Sequence, residues 1–286
     1  MTEKNGVSQL QNEYLTFLLS QARIQVVAVD IHERTEMSTF NRSRPEYVMS
    51  YHKMGNANLR VNNKVYAVTP GTVVLIPPNV AHDHYKTSTE RTVFMWWHFT
   101  YKISGSLDVL KFFNFPLTFQ PLLANRFESV FNEFVGATKD SNQFPKVLLR
   151  EAKALELLYL LLESAIRQSI TSLQFSNDSE RFFLILSDMV KCPEQKFSLS
   201  ELSDRLHLHP TYVSNRFRML FGKSLGQVQR DLRIDKAKTL LSTTSFSVAE
   251  VAENVGLQGN SELTRMFTRY VGLTPSQYRN ISTRER

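Results

Sequence analysis

Hydrophobic and polar positions change their period twice along the chain. Between residues 24 and 100, β-branched and aromatic residues come in short runs separated by turn signals. Runs at 24–29, 47–52, 57–61, 65–68, 72–76 and 92–99 predict strands. Asn62-Asn63 tolerates positive φ and predicts a hairpin turn. Pro70-Gly71 predicts another turn, and Pro77-Pro78 ends the strand before it. Short strands at this spacing predict a small β-barrel or sandwich. After about Pro121 the period becomes helical. Phe127, Val130, Phe131 and Phe134 mark one helix. Leu148, Leu149, Ala152, Leu155, Leu158, Tyr159 and Leu162 mark a second, over about 145–168. Leu157, Leu160 and Leu161 widen its apolar face. That width fits packing on its own barrel or a face shared between two subunits, and both readings stay open. The polar stretch 169–180 reads as a linker. Helical periodicity then resumes at Arg181 and runs to about Arg279.

The last third repeats itself. The run LSELSDRLHL from Leu199 returns as VAEVAENVGL from Val248, at an offset of 49. One inserted residue later, Phe217 matches Phe267, Gly222 matches Gly272, Ser224 matches Thr274 and Gln227 matches Gln277. Leu199, Leu202 and Leu206 in the first copy, and Val248, Val251 and Val255 in the second, give one apolar helix face each. A tight turn follows, with Gly256 where positive φ is easiest. A second helix turns Tyr212, Val213, Phe217 and Leu220 inward in copy one, and Leu263, Phe267 and Tyr270 in copy two. One helical hairpin is a weak signal. Two at a fixed spacing predict paired helix-turn-helix units. The segment joining them, about 225–241, predicts a helix that fixes the distance between them. If both second helices enter the major groove on one face of B-DNA, they sit about one turn (~34 Å) apart.

Charge sharpens this picture. The chain has 286 residues, enough for two domains, and a net charge of +7. From Lys191 onward stand 15 Lys and Arg against 9 Asp and Glu, whereas the first 190 residues hold 19 against 18. The excess sits in the repeat, and points to a polyanion partner there. With 42% hydrophobic and 21% charged residues, the composition excludes collagen-like and wholly disordered classes. The lone Cys192 forms no intramolecular disulfide, which fits a reducing compartment. No apolar run is long enough to span a membrane and no secretory leader is visible, so a cytoplasmic location is expected.

From about Phe197 to Arg279 the sequence resembles the AraC/XylS family of bacterial transcription regulators. The resemblance rests on both repeat copies, on Arg233-Ile234 with Ala237 and Leu240-Leu241, and on the closing Gly272-Leu273-Thr274-Pro275 with Tyr278-Arg279. Departures are His207 where the family often has Gly, His209 where it often has Ser, and Leu257 and Leu263 at positions often aromatic. His209 is the poorer N-cap, so the first recognition helix is expected to begin less firmly. The resemblance implies two helix-turn-helix units reading adjacent major-groove segments. It carries base contacts onto Thr211, Ser214 and Asn215 in the first recognition helix, and onto Ser261, Glu262 and Arg265 in the second. The chemistry agrees: Asn pairs with adenine, Arg with guanine, and Glu accepts from cytosine N4. Arg216, Arg218, Lys223 and Arg269 suit phosphate contacts.

The β-rich part resembles a cupin-like barrel through residues 71–82, GTVVLIPPNVAH, with Asn79 where Gly is usual. Many cupins hold metals, and His82 and His84 share a strand face. Upstream, however, the chain offers only His52, beside Met54 and Asn56, where a metal-binding cupin supplies two further His and a Glu. No metal and no cofactor is therefore expected. His82 reads instead as a strand-end residue bonding backbone near the Pro77-Pro78 turn. By resemblance to the arabinose-type sensor domain, ligand positions fall on His52, Lys64, Phe94 and Trp96. Lys64 stands for an Arg and Phe94 for a His, which argues against arabinose itself. Trp96 and Trp97 alternate, so one of them faces inward.

The expected fold is α+β and multidomain, with an N-terminal cupin-like β-barrel carrying dimerisation helices and a C-terminal all-α double helix-turn-helix. Expected boundaries are 1–115 for the sensor with an N-terminal arm, 116–170 for a helical dimerisation segment, 171–180 for a linker and 181–286 for the DNA-binding domain. Expected partners are double-stranded operator DNA, a small carbohydrate effector, a second copy of the chain and RNA polymerase. The expected function is regulation, more often activation, of carbohydrate-utilisation genes, without catalysis. The competing readings are a metal-dependent cupin enzyme fused to a DNA-binding unit, and a regulator answering to a non-sugar effector or a protein partner.

Overall fold

The computed structural model describes residues 9–139, 144–168, 172–173 and 177–284. Two compact units emerge. One comprises residues 23–101 and 113–173, and the other residues 1–22, 102–112 and 174–286.

The first unit is the β-rich one. A short α1 (Gln9–Gln21) precedes it in the chain, and the strands follow as β1 (Arg23–Arg34), β2 (Ser38–Arg42), β3 (Tyr47–Met54), β4 (Ala57–Val61), β5 (Lys64–Val68), β6 (Val73–Ile76), β7 (His82–Tyr85) and β8 (Thr92–Ile103). Short pieces come next: β9 (Leu107–Asp108), a 3-10 turn at Val109–Phe112, β10 (Phe113–Asn114) and β11 (Thr118–Phe119). One sheet has the order β1-β8-β3-β6-β11, with β9 beside β8, and the other has the order β2-β7-β4-β5. Val48, Val74 and Ile76 of the first sheet pack with Ala57, Leu59, Val61 and Val68 of the second, closing a two-layered barrel. At the β4–β5 hairpin Asn62 and Asn63 take φ of 48° and 62°, the two positive values of a tight hairpin turn.

The first sheet is covered on its other side too. Helices α2 (Ala124–Lys139) and α3 (Phe144–Arg167) pair with each other and both touch β1. Tyr51 of β3 meets Phe127, and Trp97 of β8 meets Phe134 edge-on at 5.4 Å between ring centroids. Two covered faces explain why residues 47–52 are all buried rather than alternating. The wide α3 face divides between packing on its own unit and exposure. Ala154, Leu157, Leu158, Leu161 and Ala165 are buried, while Leu148, Leu155, Tyr159 and Ile166 are exposed.

The helical unit follows a two-residue strand, β12 (Ser172–Leu173), that pairs with β10. Its helices are α4 (Asn177–Lys191), α5 (Leu199–Leu206), α6 (Pro210–Phe221), α7 (Leu225–Thr243), α8 (Val248–Asn254), α9 (Asn260–Val271) and α10 (Pro275–Arg284). The region expected as a linker thus holds β12 and the first turn of α4 among its described residues. The repeat is structural. Leu202, Leu206, Val213 and Phe217 are buried, and so are their counterparts Val251, Val255, Leu263 and Phe267. Capping explains why the helices start where they do. Ser198 with Glu201, Ser224 with Gln227 and Ser247 with Glu250 form reciprocal capping boxes, and Thr274 with Gln277 makes the same hydrogen bonds.

Two segments expected with the barrel belong to the helical unit. Helix α1 packs on α4, where the Lys191 ammonium lies over the Phe17 ring at 4.9 Å. The 102–112 segment brings Phe112 edge-on to Phe183 of α4 and Phe221 of α6, at 5.0 and 5.9 Å. Ser104 Oγ donates to Asp235 of α7 at 3.2 Å.

Candidate nucleic-acid interface and sensor cavity

Each recognition helix has one buried face, through Val213, Phe217 and Leu220 on α6 and through Leu263 and Phe267 on α9. The opposite face is polar. Thr211, Asn215 and Arg218 are exposed on α6, with Ser214 half-buried. Ser261, Arg265 and Arg269 are exposed on α9, with Glu262 half-buried. Tyr212, Tyr270 and Leu199 depart from the expected inward positions, being 44%, 46% and 36% exposed. Tyr270 lies at the open end of α9, where the Arg230 guanidinium stacks on its ring at 4.0 Å and donates to its hydroxyl at 3.2 Å.

The two turns reach the same geometry by different chemistry. His207 is the left-handed C-cap of α5, with φ 54°. His209 caps α6, its Nδ1 accepting from the Thr211 N–H at 3.3 Å, and Pro210 supplies the first helical position. The imidazole therefore does the work of the usual hydroxyl. In the second copy Gly256 takes φ +75°, and a Cβ there would lie 1.9 Å from the Glu194 carbonyl oxygen. Gly259 precedes α9 with φ 142° and makes no side-chain cap. Glu262 compensates, its Oε2 accepting from the Gln258 N–H at 2.9 Å. One carboxylate oxygen of this expected base contact is thus already engaged.

Two of the four expected phosphate contacts are already engaged within the protein. Arg216 is half-buried and donates to Ser179 Oγ of α4 at 2.9 Å, because its position turns it toward that helix. Lys223 forms an ion pair with the Asp231 carboxylate at 2.6 Å. Arg218 and Arg269 remain exposed cations without a carboxylate partner among the described residues. Beside the α9 N-terminus lies a polar cleft of about 810 Å3, into which Ser261, Glu262 and Arg265 converge with Lys196, Gln229 and Asn260. Arg233, below it, donates to the carbonyls of Pro193, Glu194 and Gln195 at 2.9–3.1 Å and locks α7 to the segment after α4. Lys196, Gln229 and Asn260 were missed in the sequence. Their neighbourhood depends on this long-range joint rather than on helical spacing.

The barrel holds a separate cavity of about 380 Å3. Its walls come from β1, β2, β3, β6, β7 and β8 and include Arg42, Ser50, His84, Phe94, Trp96 and His98. Of the four expected ligand positions, Phe94 and Trp96 line it. Trp97 points the other way, fully buried against Phe99. His52 lies behind the wall, stacked on Phe94 with its Nε2 3.2 Å from His84 Nε2. Lys64 is a correction. It is exposed at the start of β5 with its ammonium 5.0 Å from the Tyr66 ring, and does not line the cavity. His84, His98, Arg42 and Ser50 were missed as lining residues. They converge because β3 pairs with β8 in a register that sets Ser50 opposite Trp96 and Val48 opposite His98, while Thr39 faces His84 across β2 and β7. No local pattern reports such a register.

Burial shapes the chemistry of these imidazoles. His98 is held down to about 4, first by burial and then by the nearby Arg42 and Arg44 charges. Burial likewise lowers His52 and His84, with the Lys86 charge adding to the first and the neighbouring His52 to the second. All three are neutral at pH 7, each with one donor and one acceptor nitrogen. His82 Nδ1 lies 3.0 Å from the Val80 carbonyl oxygen, the strand-end contact expected of it. Among the described residues no group of three or more His, Cys, Asp or Glu is placed to hold a metal ion. No described helix is long and apolar enough to cross a membrane.

Comparison with known proteins adds family context. Residues 27–158 match the AraC-like ligand binding domain and residues 202–281 match a helix-turn-helix domain. The chain is 25% identical over 241 residues to the arabinose operon regulatory protein of Escherichia coli strain K12, covering 82% of this chain and 80% of that protein. It is 22% identical over 241 residues to the Msm operon regulatory protein of Streptococcus mutans, covering 82% and 84%. Over 93 residues it is 27% identical to the melibiose operon regulatory protein of Escherichia coli strain K12, covering 32% of this chain and 31% of that protein.

Proposed function

Since the chain belongs to the AraC/XylS family and is a DNA-binding transcription regulator rather than an enzyme, we propose that it controls carbohydrate-utilisation genes in response to a small sugar held in the barrel. One observation carries the effector reading. The 380 Å3 cavity joins two aromatic rings, Phe94 and Trp96, to neutral imidazoles, a surface suited to sugar C–H faces and hydroxyls. Two buried polar atoms on its walls, Trp96 Nε1 and Ser50 Oγ, have no hydrogen-bond partner among the described residues. A buried polar group left unpaired is costly, and a bound hydroxyl removes that cost. Regulators named for arabinose and melibiose operons among the relatives favour the same class.

On DNA, Thr211, Ser214 and Asn215 of α6 and Ser261, Glu262 and Arg265 of α9 read base edges, with Arg218 and Arg269 on phosphates. The protein acts as a homodimer through α3. Leu148, Ala152, Leu155, Tyr159, Leu162 and Ile166 repeat at alternating spacings of four and three, the seam of a coiled coil. Four of them are 46–63% exposed, and a second copy of α3 would cover them. Ligand binding shifts the dimer between DNA-bound arrangements, with activation through RNA polymerase the expected output. The experiment is a thermal-shift screen of the full chain against mono-, di- and oligosaccharides, since a ligand of the folded state raises its melting temperature. A hit that also changes operator affinity supports the reading. A folded protein that no carbohydrate stabilises refutes the sugar-sensor part.

A further inference from the structure

The cavity carries a charge that a neutral sugar leaves unused. Building on the sugar-sensor reading, we propose that the effector is an anionic carbohydrate, a polyhydroxylated molecule bearing a carboxylate or a phosphate. Its acid group sits on the Arg42 guanidinium, and its hydroxyls meet Ser50, Trp96 and the imidazoles.

Arg42 closes β2 and lines the cavity, half-buried. Three other cations of this unit are matched by carboxylates. Arg60 pairs with Asp83, Arg91 pairs with Glu33 at 2.5 Å, and Lys53 pairs with Glu128 at 2.7 Å. Arg42 has no ion pair among the described residues. Its one hydrogen-bond contact is His98 Nε2, at 3.4 Å, which accepts as a neutral imidazole. Glu46 acts on Arg42 only through space, with no contact between them; a partly desolvated guanidinium with no anion in contact is costly, and that cost falls when an anion arrives. The planar fork of Arg also suits a carboxylate or phosphate better than a hydroxyl.

The surroundings agree. Arg42 is felt throughout the cavity, because its charge helps to hold His82, His84 and His98 in their neutral forms. Arg34 adds a second cation at the exposed mouth. Glu36 is the one carboxylate among the lining residues, and it too is exposed at the mouth. Inside, then, the cavity offers one cation and several neutral groups. That arrangement matches one acid group on a hydroxyl-bearing frame. The volume of about 380 Å3 lies at the small end of ligand pockets, which run from roughly 300 to 1,000 Å3.

The test is calorimetric titration of the full chain with matched pairs: galactose and galacturonate, glucose and glucuronate, and the corresponding sugar 6-phosphates. Acetate and inorganic phosphate serve as acid groups without the sugar. At least one acidic sugar is expected to bind about tenfold or more tightly than its neutral parent. Arg42→Gln should bring the pair within about twofold of each other. Arg42→Lys, which keeps the charge, should retain most of the preference and guards against loss through misfolding. The uronate and phosphate arms then identify the acid. A neutral sugar binding as tightly as its acid overturns this inference but leaves the sugar sensor standing. Acid preference that survives Arg42→Gln overturns the role of Arg42. Acetate or phosphate binding as well as the sugar acid overturns the carbohydrate frame. Binding of no carbohydrate, neutral or acidic, overturns both readings.

Discussion

Gly256 is the point at which the second helix-turn-helix is most exposed to a one-carbon change. Gly256→Ala places a methyl group 1.9 Å from the Glu194 carbonyl oxygen and 2.7 Å from its carbon. Ordinary contact needs more than an ångström of extra room, and the obstacle is backbone. That backbone is pinned, because Arg233 binds the Glu194 carbonyl at 3.1 Å and Lys236 binds its carboxylate at 2.7 Å. The residue also sits at φ +75°, where a Cβ costs about 1–2 kcal/mol. Overpacking adds roughly 1–3 kcal/mol, so the expected loss is about 2–5 kcal/mol. This corresponds to a melting shift on the order of 10 °C for the helical unit. His207, in the matching turn of the first unit, carries a side chain at φ 54°, so left-handed backbone alone is tolerated in this fold. His207→Gly should therefore change stability by no more than about 1 kcal/mol. Denaturant unfolding of the full chain measures both. A Gly256→Ala variant within about 0.5 kcal/mol of wild type would refute the account of this joint.

Three further outcomes are expected. Arg265→Ala should cost about 1–3 kcal/mol on the specific site and relax preference at one base pair, whereas Arg218→Ala should weaken specific and random DNA alike; competition binding at fixed salt separates them. Leu155→Glu should place a carboxylate in the exposed α3 seam and yield monomers in sedimentation without unfolding the barrel, and an unchanged dimer would exclude that seam. Stability of the barrel should fall as pH drops from the ordinary histidine value of 6.5 toward 4. His98 is held near 4 in the folded state, so the unfolded chain binds the proton first. Urea melts across that window check the sign, with at most about 3 kcal/mol from this group.

Much of the fold was legible because it rests on local signals. Asn62-Asn63 dictates its hairpin from two residues. The repeat in the last third reports its cores directly, since Phe217 and Phe267 recur where helical spacing requires burial. The capping boxes at Ser198, Ser224 and Ser247 are equally local, each a pair of residues three apart. What stayed hidden depends on pairing between distant segments. Arg42, Ser50, His84 and His98 meet only through strand registers that no single strand encodes. Lys64 looked like a ligand group by resemblance, yet it lies beyond the cavity on a hairpin. Lys223 looked like a phosphate contact until Asp231 was found beside it. Helix α1 and the 102–112 segment give weak periodicity of their own, and tertiary packing assigns them to the helical unit.

The proposed function turns on two recognition helices in one chain reading two neighbouring stretches of major groove. The most direct measurement is footprinting of the full-length protein on sequences selected from random DNA, beside Asn215→Ala and Arg265→Ala. Two protected major-groove segments per subunit are expected, about one helical turn apart on the same face. Asn215→Ala should weaken protection of one and Arg265→Ala of the other. A single protected segment, or equal affinity for selected and random DNA, would contradict it.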